Sequence, residues 1–143
     1  MLKNKHSIST ILILLFLSCN TEPNIKKEYY PNGQLKFIKR YQDGILNGQA
    51  QWFYDNGNIE QTVIFKQGEE NGNAYYFYTD GALKNFRYWR DGKMVSYVTD
   101  YYDDSVGIIK NVLLYNNDGQ LIYRKHFDSL GNFLKEEGKK PGW

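Results

Sequence analysis

Apolar and polar residues alternate with a period of two over much of this chain. Leu35, Phe37, Lys39 and Tyr41 alternate with Lys36, Ile38 and Arg40, and Ala50, Trp52 and Tyr54 alternate with Gln51 and Phe53. Such alternation sends successive side chains to opposite sides of a strand. Beyond residue 20 no stretch combines helical periodicity with helix-favouring composition. The strand-like runs are separated by Asn32-Gly33, Asn56-Gly57, Asp80-Gly81 and Asp118-Gly119, dipeptides in which glycine or asparagine accepts positive φ cheaply. Gly44, Gly68 and Gly92 mark the intervening turns. The pattern predicts an all-β fold of about eight to ten short antiparallel strands.

The runs are also copies of one another. Tyr29-Tyr30-Pro-Asn-Gly33-Gln-Leu35 returns as Phe53-Tyr54-Asp-Asn-Gly57-Asn-Ile59 and as Phe77-Tyr78-Thr-Asp-Gly81-Ala-Leu83, in steps of 24 residues. A second phrase keeps the same step: Tyr41-Gln-Asp-Gly44-Ile-Leu-Asn-Gly48, then Phe65 to Gly72, then Trp89 to Ser96. A fourth copy opens on Tyr101-Tyr102 but has Ser105 where the others have glycine, and the register then slips before Gly119 to Phe127 restores it. The phrase aromatic-x-x-Gly-x-x-x-Gly, followed by an aromatic pair and Asn-Gly, resembles the bacterial variant of the MORN repeat. That resemblance implies an elongated antiparallel meander of stacked β-hairpins. Some relatives are described as antitoxin or immunity components paired with a secreted toxin, which implies a protein partner of that kind.

The first twenty residues follow another pattern. Lys3 and Lys5 precede the apolar run Ile8 to Leu17, which is too short to cross a bilayer as a helix and fits the helix of an export signal. Phe16-Leu17-Ser18-Cys19 then resembles the lipobox of bacterial lipoproteins, which implies cleavage after Ser18 and lipidation of Cys19. Phe16 stands where that family usually has Leu. The expected organisation is a signal peptide over 1–18, a polar tether over 19–28, a repeat domain over 29–137 and a tail over 138–143. The implied location is the bacterial cell envelope, with the lipid anchor in a membrane, the outer one by preference. Cys19 is the sole cysteine, so no internal disulfide forms and packing alone must hold the domain.

Charge narrows the partners. The chain has 18 Lys+Arg against 16 Asp+Glu, and losing Lys3 and Lys5 with the signal leaves these balanced. Neither nucleic acid nor an acidic lipid surface is favoured by such a balance. The chain keeps all 13 tyrosines and all three tryptophans after cleavage, a composition that folds.

Columns constant among the copies should serve what the copies share, namely stacking on one another. These are Tyr30/Tyr54/Tyr78/Tyr102, Tyr29/Phe53/Phe77/Tyr101, Tyr41/Phe65/Trp89, Leu35/Ile59/Leu83 and Ala50/Ala74/Val98. The tyrosine column could instead be a sugar-binding strip; packing across strands is the favoured reading. Recognition of a single partner needs columns that differ. Aromatic and arginine side chains dominate binding hot spots, so Trp52, Tyr75, Tyr76, Arg87, Tyr88 and Arg90 form the candidate patch.

Catalysis is not expected. His126 is the one histidine past the signal; it sits between basic neighbours in Arg124-Lys125-His126-Phe127 with no Gly-x-Ser-x-Gly elbow. Asp100, Asp103 and Asp104 lack the spacing of a calcium loop, and the adjacent pairs Glu69-Glu70 and Glu136-Glu137 would face opposite ways on a strand. No cofactor or metal is expected. The sequence therefore points to a lipid-anchored protein-binding module, with an envelope scaffold or a cell-wall glycan binder as the alternative.

Overall fold

The computed structural model describes residues 22–102 and 107–139, with Ser96 and Tyr97 described by backbone alone. The signal peptide, Cys19, Asp103, Asp104, Ser105 and residues 140–143 of the tail lie outside the described residues.

Among the described residues every regular element is a strand: β1 (Asn24–Tyr29), β2 (Leu35–Gln42), β3 (Ile45–Leu46), β4 (Gly48–Phe53), β5 (Ile59–Lys66), β6 (Glu69–Phe77), β7 (Leu83–Arg90), β8 (Lys93–Met94), β9 (Ser96–Tyr101), β10 (Ile109–Tyr115), β11 (Leu121–Phe127) and β12 (Phe133–Gly138). They form a single open antiparallel sheet in the order β1-β2-β4-β5-β6-β7-β9-β10-β11-β12. The two-residue strands β3 and β8 pair beside β2 and β7. The twelve strands exceed the expected number because β3 and β8 are split from β4 and β9 by a local bulge, where the Asn47 and Val95 amides return to the carbonyls of Arg40 and Tyr88.

Two kinds of turn alternate. Asp43-Gly44, Gln67-Gly68 and Asp91-Gly92 have positive φ at both residues. They close the pairs Gln42↔Ile45, Lys66↔Glu69 and Arg90↔Lys93, as type I′ two-residue hairpins do. The turns at Asn32-Gly33, Asn56-Gly57 and Asp80-Gly81 are different. Gly33, Gly57 and Gly81 alone take positive φ, and their amides bond the carbonyls of Tyr30, Tyr54 and Tyr78. This is a type I turn followed by a left-handed residue, a three-residue loop with a bulge. The asparagine keeps ordinary φ and works through its side chain: the Gln34 amide donates to Asn32 Oδ1 and the Asn58 amide to Asn56 Oδ1.

The same turns are tied to one another. Tyr30 Oη donates to the carbonyl of Phe53 at 2.8 Å, Tyr54 Oη to Phe77 at 2.7 Å, Tyr78 Oη to Tyr101 at 3.0 Å and Tyr102 Oη to Phe127 at 2.8 Å. All four tyrosines are half-buried, each with its hydroxyl committed to the backbone of the next hairpin. Asn32 and Asn56 repeat the device, donating from Nδ2 to the carbonyls of Asp55 and Thr79.

Directly paired residues share a face, so the register divides the sheet. One face carries Ala50, Val63 and Ala74 in a row, continued by Arg87, with Phe37, Trp52, Gln61, Tyr76 and Asn85 in the row beside it. Here lies the main core: Ala50 and Ala74 have no exposed surface, Val63 and Val98 are 1% exposed, and Phe37 and Asn85 are also buried. The fully buried positions are small because larger neighbours on the same face close over them. Past β9 the buried positions change side. Val98 pairs with Leu113, whereas buried Leu114 and Tyr123 pair with each other on the opposite face.

One expectation needs correction. Residues Asn24 to Glu28, read as part of a polar tether, form most of β1, paired with β2 from Asn24↔Tyr41 to Glu28↔Phe37. Their polarity reflects an edge strand, whose outer side meets water. Glu28 is ion-paired with Lys36 at 2.8 Å, and this bond holds its carboxyl below the usual range. The Lys26 ammonium lies 6.0 Å from the centre of the Phe37 ring.

Candidate functional site

The six residues singled out in the sequence do not share one face. Trp52, Tyr76 and Arg87 lie on the face of Ala50 and Val63, and Tyr75, Tyr88 and Arg90 lie on the other. Tyr75 and Tyr76 are neighbours in a strand and must point apart.

The first trio belongs to a larger cluster. Trp52 on β4 meets Phe65 on β5 with ring centres 6.3 Å apart, tilted by 51°. Lys39 Nζ stands over the same indole at 4.9 Å and over Phe37 at 4.4 Å, so cations cover part of this aromatic surface. On β6 and β7 the Arg87 guanidinium lies 4.9 Å from the centre of the Tyr76 ring. Glu70 reaches the same face opposite Phe65, and Trp89 opposite Gly72.

Burial governs the protonation chemistry here. Glu70 is pushed above the usual carboxylate range by loss of water, an effect that the Arg87 charge opposes. The Tyr76 phenol is also raised, first by burial and then by the Glu70 carboxylate, against the pull of Arg87 and of the nearby Trp89 indole. The face also holds buried polar atoms, Arg87 Nε and Asn85 Oδ1, with no hydrogen-bond partner among the described residues, while the Trp89 indole N–H faces the Tyr76 hydroxyl. His126 Nε2 and Arg124 Nε are in the same condition further along this face, on β11. Such groups are costly unless something satisfies them.

The second trio is looser. Tyr75 stacks on Phe86 at 5.1 Å with a 44° tilt, and Asn73 Nδ2 reaches its hydroxyl only at 3.5 Å. Tyr75 is 37% exposed and Arg90 is exposed at the end of β7.

Sequence reasoning placed Asn85 in a column that differs between copies and weighed Glu70 only as half of an acid/base pair; neither they nor Lys39 entered the candidate patch, and Trp89 was treated as a stacking residue. The signal was available in the alternation itself: residues 85, 87 and 89 must share a face once β7 is assigned as a strand. What could not be read was which strand lay opposite at which register.

Pockets on the sheet are shallow. One of about 240 Å³ is lined by Tyr78, Lys84, Asn85, Asp100, Lys110 and Asn111, with Asn111 Nδ2 donating to Asp100 at 3.2 Å. No group of three or more potential metal-binding side chains occurs among the described residues. Among them, too, no helix is long and apolar enough to cross a membrane.

Comparison with curated proteins gave no significant match. Residues 24–43 and 46–67 match the MORN repeat variant family. The first match holds β1 and β2, and the second holds β4 and β5. These two segments are therefore similar to MORN repeat variants, each match centred on one antiparallel strand pair of the open sheet.

Proposed function

We propose that this chain is a lipid-anchored protein-binding module of the bacterial cell envelope, without catalytic activity, recognising its partner through the face that carries Trp52, Tyr76 and Arg87. The observation that carries the reading is the company these residues keep. Two large aromatics and an arginine, the types that dominate binding hot spots, stand half-buried on one face, with Lys39 over the Trp52 indole and Arg87 over the Tyr76 ring. The tyrosine column is less suited to sugars, because its hydroxyls are spent on backbone carbonyls.

The remaining parts of the proposal rest on sequence. Residues 1–18 act as the helical export signal and Cys19 receives the lipid. The hairpin module repeats every 24 residues along the mature domain. An antitoxin or immunity role, with a toxin as partner, rests on the family resemblance alone.

Crosslinking and pull-down of the membrane-bound chain, compared with Cys19→Ala, identifies the partner. Affinity is then measured for Trp52→Ala with Tyr76→Ala and, separately, for Tyr75→Ala with Tyr88→Ala. The first pair should weaken binding by about 2 kcal/mol, and the second should have little effect. Equal affinities for both folded double variants would remove this face from consideration. A labelled fatty acid that still attaches to Cys19→Ala would rule out the anchor site.

A further inference from the structure

The sheet has two free edges, and their charges are ordered. β1 presents Lys26, Lys27 and Glu28, and β12 presents Lys135, Glu136 and Glu137; all are exposed except half-buried Glu28. Strand direction alternates along the sheet, so β1 and β12 run antiparallel. A second copy's β1 can therefore follow β12 in the sense in which β4 follows β2.

The interior of the sheet sets the register for such a seam. Phe37 lies opposite Trp52, Gln61 opposite Tyr76 and Asn85 opposite Asp100. In each case the third residue of one strand meets the residue that precedes Phe53, Phe77 or Tyr101. On β12, Phe133 pairs with Phe127 as Leu35 pairs with Tyr29, so Lys135 holds the place of Phe37. On β1, Tyr29 holds the place of Phe53, so Glu28 holds that of Trp52. Carried across the seam, the internal register sets Lys135 opposite Glu28, Glu136 opposite Lys27 and Glu137 opposite Lys26. Leu134, 59% exposed, then meets Tyr29, 57% exposed.

We propose that the chain self-associates head to tail, β12 of one copy pairing with β1 of the next. Three opposite-charge pairs and one apolar pair form in a single register. Two β1 edges centred on Lys26-Lys27, or two β12 edges centred on Glu136-Glu137, would put like charges opposite, so pairing of identical edges is disfavoured. The contact is heterologous and does not close by itself, so it builds open rows of copies. It is weaker than the internal seams for two reasons. Asp128 stands where the ladder has a tyrosine, so the phenol–carbonyl bond is missing there. The charges also have partners in the single chain: Glu28 with Lys36, Lys135 with Glu137, and Glu136 with the Tyr123 hydroxyl. Association should thus be reversible and sensitive to salt.

The test uses the full chain in detergent, followed by sedimentation velocity over a concentration series. The wild type should grow in average mass with concentration, less so at high salt. Lys26→Glu with Lys27→Glu, or Glu136→Lys with Glu137→Lys, should weaken association by about tenfold or more. Mixing the two variants, or combining all four changes in one chain, should restore it. Circular dichroism checks folding, and Glu137→Lys alone replaces the β12 pair if that pair fails to fold. A wild type monomeric at every concentration, association that survives both edge variants, or failure of the mixture to recover would overturn the proposal.

Discussion

Tyr54 Oη donates to the carbonyl oxygen of Phe77 at 2.7 Å, joining a turn in one hairpin to the strand end of the next. The same relationship recurs at Tyr30, Tyr78 and Tyr102. A sheet only one layer deep has few ways to hold adjacent hairpins beyond the strand ladder, and the phenol supplies one at each step.

Tyr54→Phe keeps the ring and removes this bond, leaving the Phe77 carbonyl without its side-chain donor. The expected loss is about 1 kcal/mol of stability, read as a lower midpoint of urea unfolding with an unchanged slope. An unaltered midpoint would mean that the hydroxyl contributes nothing.

Val63→Ala strips a side chain that is 1% exposed at the centre of the buried row. Its direct cross-strand neighbours, Ala50 and Ala74, are too small to fill the gap. The variant should lose about 2 kcal/mol, whereas Ile64→Ala, on the opposite face and 39% exposed, should cost clearly less. Comparable losses would contradict the assignment of the core to one face.

Gln67 adopts φ of 52° in a type I′ turn whose equivalents are Asp43 and Asp91. Glutamine has no short side chain to offset the left-handed conformation, so Gln67→Asn should stabilise by up to about 1 kcal/mol. Thermal unfolding measures it, and an unchanged or lower midpoint would count against the turn geometry.

Stability should fall at alkaline pH. The phenols of Tyr54 and Tyr76 are raised above 10.0 in the folded chain, chiefly by burial. The folded state therefore holds these protons more tightly than the unfolded chain does. Their contribution is complete below pH 10 and is lost as pH rises through the folded values. Glu70, raised above 4.5 by burial, acts in the same sense at lower pH: stability declines as pH rises from 4.5 through its folded value. Denaturant titrations across pH should show the alkaline decline, and the difference between wild type and Glu70→Gln should show the acidic one. Glu70→Gln should also lessen the alkaline decline, because the Glu70 carboxylate helps to raise Tyr76.

Much of this architecture is legible in the sequence because strand alternation and turn chemistry are local properties. Asp43-Gly44 and Asn32-Gly33 mark their turns, and Ala50 and Ala74 stand out as small residues kept in corresponding copies. What was not legible depends on partners distant in the chain. Val63 occupies a column whose other members are Lys39 and Arg87, so no repeat comparison marks it as core; only its place between Ala50 and Ala74 buries it. The polar run Asn24 to Glu28 reads as a tether until β2 is known to accept it. The candidate recognition residues were chosen by type, and only the register separates Trp52, Tyr76 and Arg87 from Tyr75, Tyr88 and Arg90.

Between β9 and β10 the pairing steps over a bulge between Ile109 and Asn111 and then keeps register to Tyr115↔Ser96, while the buried apolar side changes. The two stretches therefore share a backbone seam but bury their apolar side chains on opposite faces. Opening of β10 to β12 need not disturb the row Ala50, Val63 and Ala74, so the carboxyl-terminal hairpins can breathe separately from the rest. Amide protons in β11 should accordingly exchange with solvent well before those of β5.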